Sequence, residues 1–264
     1  MLSKLKDSTM PRALAIAAHP DDIEFLMAGT LILLREAGFE IHYFNLADGC
    51  CGSAEHDAKT IAAIRLSEAK SAAEFLGAKF HPPLCRDMEI FYEQETLAKV
   101  ASVVRQVAPD ILLTHAPADY MEDHTNTCRL AIGAAFCRGM PNFPVDPPTR
   151  HVTNPVAIYH AQPYFHRDPL GKLVTPEFFV NVTEVLERKV EMLAKHASQK
   201  KWLDQSQGQD SYLETLRQLD AQCGNMSGKF QFAEGWRRHS YLGFCNQQFD
   251  PLRDCLRDKI LPAK

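Results

Sequence analysis

Short uncharged runs alternate with longer stretches whose apolar positions recur at three- and four-residue spacing, and this alternation organises residues 11–140. Leu14-Ala15-Ile16-Ala17-Ala18 has the length and apolar character of a buried parallel strand. Ile23 to Ala37 carries helical spacing and stops at Gly38. Glu40 to Leu46 predicts a second strand, which ends in the small-residue loop Ala47 to Ser53. Asp57 to Leu76 predicts a long helix closed by Gly77, and a short third strand falls near Ala78 to His81. After a Pro-rich loop come a helix from Glu93 to Val107, a strand from Asp110 to His115 and a helix from Asp123 to Cys137. Strands and helices alternating at this spacing predict right-handed βαβ units. The fold class is therefore α/β: a Rossmann-like, three-layer domain with a mainly parallel sheet.

Gly139 to Pro155 is rich in proline and polar residues and marks a domain seam or a long surface loop. Beyond it the pattern loosens. Val156 to His160 and Phe178 to Val182 read as strands. Thr183 to His196 reads as a helix with Thr183 at its N-cap, and Asp210 to Gln222 as another. No internal repeat breaks the chain. The simplest organisation is a single domain over residues 1–264, with a core at 11–140 and an elaborated C-terminal third at 155–264.

Composition narrows the function. The 264 residues hold 45% hydrophobic and 23% charged positions, ordinary for a globular protein. A net charge of −4, with no basic run interleaved with aromatics, excludes a nucleic-acid surface and points to a small-molecule partner. Met1 to Arg12 is polar, without the apolar core of a signal peptide, and no window has the length of a membrane span. Eight cysteines include adjacent Cys50 and Cys51 but no C-x-x-C pair, so neither a zinc ribbon nor a disulfide framework is indicated. A cytoplasmic location follows, and homo-oligomer formation stays open.

The candidate chemistry lies at two strand ends. His19-Pro20-Asp21-Asp22 follows the first strand, where open α/β sheets place their active sites. His19 and Asp22 can ligate one divalent metal while Asp21 stays free to move protons. Asp119-Tyr120-Met121-Glu122-Asp123-His124 follows the fourth strand, and His124 supplies a third ligand. Two imidazoles, one carboxylate and an open position suit catalytic Zn2+, with Fe2+ or another divalent ion fitting the same donors. The competing reading of Pro-Asp-Asp is helix capping. The same ligand set also serves non-haem iron oxygenases, whose all-β frameworks this chain does not match.

These motifs resemble the PIG-L/LmbE-like zinc-dependent N-deacetylases, which remove acetyl groups from N-acetylglucosamine-containing substrates. Ala18-His19-Pro20-Asp21-Asp22 with Glu24 and Gly29 resembles the first signature of that family. Arg65, Glu68, Ala69 and Leu76-Gly77 are similar to its arginine-bearing helix, and Asp119 to His124 to its second metal motif. Lys195-His196-x-Ser198-Gln199 and Phe232-Ala233-Glu234-Gly235-Trp236 resemble its C-terminal signatures. The resemblance implies His19, Asp22 and His124 as zinc ligands, Asp21 as general base, Arg65 near the substrate and Asp123 as a member of the catalytic set.

One departure stands out. The family commonly carries a histidine three residues before the last ligand, where this chain has Met121, and Glu122 replaces a proline. A thioether cannot carry a proton. Asp21 then serves as both base and acid, another histidine such as His160 or His239 reaches in, or the chain is a silent metal-binding or ligand-sensing module. The expected substrate is an N-acetylated sugar or related small amide, or an amide of a different acyl group. Expected binding residues are Gly49, which permits close backbone approach, Arg65, His160 and His239. Aromatics between Tyr159 and His166, with Trp202 and Trp236, suit a sugar's apolar faces and polar rim.

Overall fold

The computed structural model describes residues 10–199, 202 and 212–263. An eight-stranded sheet in the order β3-β2-β1-β4-β5-β7-β6-β8 runs through it. The strands are β1 (Arg12–Ala17), β2 (Glu40–Asn45), β3 (Lys79–His81), β4 (Ile111–Thr114), β5 (Ala157–Ala161), β6 (Phe178–Asn181), β7 (Ala233–Arg238) and β8 (Ile260–Pro262). From β3 to β5 every pairing is parallel, and β5–β7, β7–β6 and β6–β8 are antiparallel. The helices are α1 (Asp22–Leu26), α2 (Ala28–Glu36), α3 (Ala58–Leu76), α4 (Gln94–Val107), α5 (Glu122–Cys137), α6 (Leu186–Leu193), α7 (Tyr212–Ser227) and α8 (Pro251–Cys255).

The three layers follow from the strands' two-residue period. In β1, Ala13, Ala15 and Ala17 face Ile23 of α1, Leu31 of α2 and Ala72 of α3. Leu14 and Ile16 face Val100 and Val104 of α4 and Leu130 and Ala134 of α5. Both faces of a central parallel strand are covered, so it reads as a continuous apolar run. Helix α3 is delimited as its sequence implies: Asp57 accepts the Thr60 N–H at 2.8 Å, and Gly77 ends the helix at φ 71°. Strand order reverses between β1 and β4, and their carboxyl ends open a crevice there. Among the described residues no helix is long and apolar enough to cross a membrane.

Three expectations need correction. The helix expected over Ile23 to Ala37 breaks at Met27, whose φ is −138°. A long-range cap makes the break: both carboxylate oxygens of Glu234, on β7, accept N–H groups of Gly29 and Thr30 at 2.7 and 2.8 Å. Gly29 is needed for that approach, because a Cβ there would lie 2.5 Å from Val182 Cγ1. Thr183 caps nothing. Its hydroxyl bonds the backbone of Phe232, a 3₁₀ turn covers Thr183–Val185, and α6 ends before His196. Strands β7 and β8 were not expected, because Glu234, Arg237 and Arg238 interrupt any apolar run in β7. Of the expected helix from Asp210, the start lies outside the described residues, and α7 runs on past Gln222 to Ser227.

The proline-rich segment after α5 is a pinned surface loop. Arg105 donates to the carbonyls of Thr149, Cys137, Met140 and Phe143, and Arg138 to those of Asn154 and Phe244. Inside, Lys189 is wholly buried and bonds Asp220 and Glu234 at 2.8 Å each. Burial pushes Asp220 up to about 7 against the pull of Lys189. Removing one member of such a buried ion cluster leaves charge uncompensated. Lys189→Met is therefore expected to lower the unfolding free energy by about 3–5 kcal/mol. Urea unfolding measures it, and a loss below about 1 kcal/mol would contradict the assignment.

Candidate metal centre and active site

The chain leaves β1 at Ala17 and turns through His19-Pro20-Asp21-Asp22 into α1. Neither aspartate caps that helix. Asp21 occupies the N-cap position without a side-chain bond to the helix, and Asp22 Oδ2 accepts the His19 backbone N–H at 2.7 Å. Asp21 has φ 103°, a left-handed conformation that costs a non-glycine residue about 1–3 kcal/mol. Strain held at this position marks a site whose surroundings over-determine it.

From the other side of the crevice, α5 brings His124 in its first turn. Nε2 of His124 lies 3.3 Å from Asp22 Oδ1, and Nδ1 of His19 lies 3.4 Å from Asp22 Oδ2. Donor atoms of His19, Asp22 and His124 all fall within 4.8 Å of one another. The far nitrogens of both rings are held by carboxylates: His19 Nε2 meets Asp123 Oδ2 at 3.0 Å, and His124 Nδ1 meets Asp119 Oδ1 at 3.0 Å. An ionised carboxylate only accepts, so both imidazoles donate outward and present their free nitrogens to Asp22. Carboxylate–histidine pairs of this kind orient metal ligands.

The residues fit a cation. His124 Nε2 is buried and makes no well-formed hydrogen bond. Burial opposes a charged imidazole, yet hydrogen bonds to Asp123 and Asp22 raise His19 to about 9. The Asp22 charge likewise overcomes burial to raise His124 to about 10. Asp22, despite burial, is held well below the usual carboxylate range, first by His124. The carboxylates thus call for positive charge at one point, and a divalent ion meets that demand in place of protons. His115 stacks on His124 with ring centres 4.1 Å apart. Its Nε2 accepts the Ala18 N–H at 2.9 Å, and burial lowers its pKa, so it stays neutral.

A cavity of about 390 Å³ opens above these groups. His19, Asp21, Asp22 and His124 line one part, with Arg65, Asp87 and Gln199 beside them and Tyr120, Tyr164 and Trp202 around. Met121 lines it too, placing a thioether at the wall. The C-terminal motif residues lock this side. Ser198 donates from its N–H and hydroxyl to Glu68 at 2.8 and 2.7 Å, and Gln199 Nε2 donates to the Gly52 carbonyl at 3.3 Å.

Five expected residues gather at the centre: His19, Asp21, Asp22, Asp123 and His124, with Arg65 at the wall. Asp123 does not line the cavity; it holds His19 and accepts the Met88 N–H at 2.8 Å. Gly49 stands behind Arg65, since a Cβ there would lie 2.4 Å from Arg65 Cδ. Its N–H donates to Asp87 at 2.7 Å. The structure does not bring His160 and His239 to the cavity. His160 Nδ1 donates to the His115 carbonyl at 2.9 Å and its Nε2 meets His239 Nδ1 at 2.9 Å. Asp119, His115 and Tyr212 were missed. Asp119 lay within a recognised motif. Tyr212 carried no signal, because its contact with Asp21 spans 191 positions.

The profile of the PIG-L family, described as GlcNAc-PI de-N-acetylase, matches residues 14–135, which include both strand-end motifs. Diacetylchitobiose deacetylase of Thermococcus kodakarensis is 30% identical over 242 residues, covering 86% of this chain and 82% of that protein. The solved N,N'-diacetylchitobiose deacetylase of Pyrococcus horikoshii superposes with a TM-score of 0.73 at 26% identity, over 88% of this chain and 85% of that one. The 4-oxalmesaconate hydratase of Pseudomonas putida is 26% identical over 185 residues, 67% of this chain and 69% of that protein. With these relatives and that sheet, the chain belongs to the PIG-L family of de-N-acetylase-like proteins.

Proposed function

We propose that this protein is a metal-dependent hydrolase that removes the acetyl group from an N-acetylated sugar or related small amide. The observation that carries the reading is the convergence of His19, Asp22 and His124 donors within 4.8 Å, with Asp21 beside them on the cavity wall. Both relatives named as deacetylases act, by their names, on a diacetylated disaccharide. His19, Asp22 and His124 would hold the ion, with Zn2+ suited to two imidazoles and a carboxylate. Such an ion, when bound, polarises an amide carbonyl and lowers the pKa of water.

The chain's own residues supply the rest. Asp21 Oδ2 is occupied by Tyr212, whose hydroxyl donates at 2.7 Å, and Oδ1, which has no hydrogen-bond donor among the described residues, would take a proton from the attacking water. Asp21 then returns that proton to the departing nitrogen. Burial pushes its pKa up, against the pull of Arg65, which suits a group that must hold a proton and release it. No imidazole besides the two ligands lines the cavity among the described residues, and Met121 carries no proton. Asp123 and Asp119 fix the ring orientations of the ligands. Tyr120, Tyr164 and Trp202 offer apolar faces beside polar edges, as a sugar ring requires.

Metal-loaded protein is expected to release acetate from at least one member of a panel of N-acetylated mono- and disaccharides, and a chelator is expected to abolish it. Bound metal with no acetate from any member would overturn the reading and favour a silent module, or hydration as named for the Pseudomonas putida relative. Asp21→Asn is expected to keep its metal and lose about 10²- to 10⁴-fold in kcat, whereas His19→Ala loses metal by elemental analysis. Full activity in either variant contradicts the roles given. His239→Ala is expected to leave kcat/KM within about twofold.

A further inference from the structure

Two adjacent carboxylates, Asp21 and Asp22, stand beside one site that calls for a cation, and Coulomb attraction alone would draw both toward it. The group of donors within 4.8 Å contains Asp22 and not Asp21. Something holds Asp21 aside. Its backbone lies in the left-handed region, with φ 103°. Its Oδ2 accepts the Tyr212 hydroxyl at 2.7 Å and faces Arg65 Nη2 at 3.4 Å. Arg65 is itself fixed: it is 4% exposed, it donates to the Pro20 carbonyl, and the loop beside it leaves room through Gly49 and Gly52.

We infer that Tyr212 and Arg65 form a two-point tether that keeps Asp21 out of the metal's ligand set and turned to the cavity. Tyr212 is a positioning residue in this account, acting only through Asp21. Its ring has a separate structural task. It is 1% exposed and packs edge-on against Phe25, with centres 5.1 Å apart, among Leu186, Leu193 and Leu216. The ring therefore anchors α7, and the hydroxyl alone serves Asp21. Without that hydroxyl Arg65 is the one side-chain partner left to Asp21 among the described residues, and a cation held at the neighbouring donors would draw the carboxylate toward itself. Arg65, on this view, earns its place by holding the base as much as by any contact with substrate.

Tyr212→Phe keeps the ring and removes the donor, and thermal unfolding checks that the fold is retained. The test has a spectroscopic arm and a kinetic arm, and only the kinetic arm rests on the deacetylase reading. Wild type, Tyr212→Phe, Asp21→Asn and the double variant are loaded with Co2+, and their visible spectra and metal stoichiometry compared. The expected result is one Co2+ in each, a Tyr212→Phe spectrum unlike wild type, and a double variant identical to Asp21→Asn. With an acetylated substrate, Tyr212→Phe is expected to lower kcat roughly tenfold to hundredfold at unchanged KM. It adds no further loss in the Asp21→Asn background. An unchanged Co2+ spectrum, or equal losses of kcat in the two backgrounds, would overturn the tether. If wild type releases no acetate, the spectra still decide the tether, and only the functional reading falls.

Discussion

Asp22 lies between two imidazoles, His19 of its own turn and His124 from across the crevice between β1 and β4, and the rest of the site depends on that charge. A buried carboxylate with His19 on one side and His124 on the other is tolerable only with positive charge between them. The lattice of outer bonds makes sense in those terms. Asp123 and Asp119 accept hydrogen bonds from the outward ring nitrogens, the His19 backbone N–H steadies Asp22, and His115 stays neutral beneath His124. The inner nitrogens are left facing Asp22, with donor atoms of all three residues within 4.8 Å of one another, an arrangement that suits a cation.

The scaffold serves this arrangement by bringing remote segments to two strand ends. β1 delivers His19 and Asp22, and the loop after β4 delivers Asp119, Asp123 and His124. The C-terminal third then locks the assembly from outside. Glu234 on β7 gives α2 its own N-terminus, separating it from the short α1 that follows the ligand turn. Ser198 binds Glu68, one turn from Arg65 on α3. Tyr212 reaches Asp21 from α7. Residues that resemble family signatures far from the metal motifs thus act as braces on them.

The alternation of apolar runs and helical spacing made the parallel half legible, because strands buried on both faces leave no polar positions to blur the pattern. β7 escaped because the partners of its buried glutamate are remote in sequence: Glu234 reads as a surface residue until Gly29, Thr30 and Lys189 are seen around it. The break at Met27 was invisible for the same reason. The convergence of His19, Asp22 and His124 was legible from His and Asp at two strand ends. Capping was its rival, and the hydrogen bonds of Asp22 and Asp123 exclude it. His160 and His239 looked available because residue type alone does not reveal that they are turned toward each other, with His160 also bonded to the His115 carbonyl. Gly49 was legible as a close-approach residue, but the approaching group is Arg65.

The most direct test of this account is a crystal structure of metal-loaded protein with anomalous scattering recorded at the metal's absorption edge. The account predicts one strong peak about 2.0–2.2 Å from His19 Nδ1, an Asp22 oxygen and His124 Nε2, with Asp21 still bonded to Tyr212. A peak at other residues, or one with Asp21 among its ligands in the wild-type protein, would contradict it.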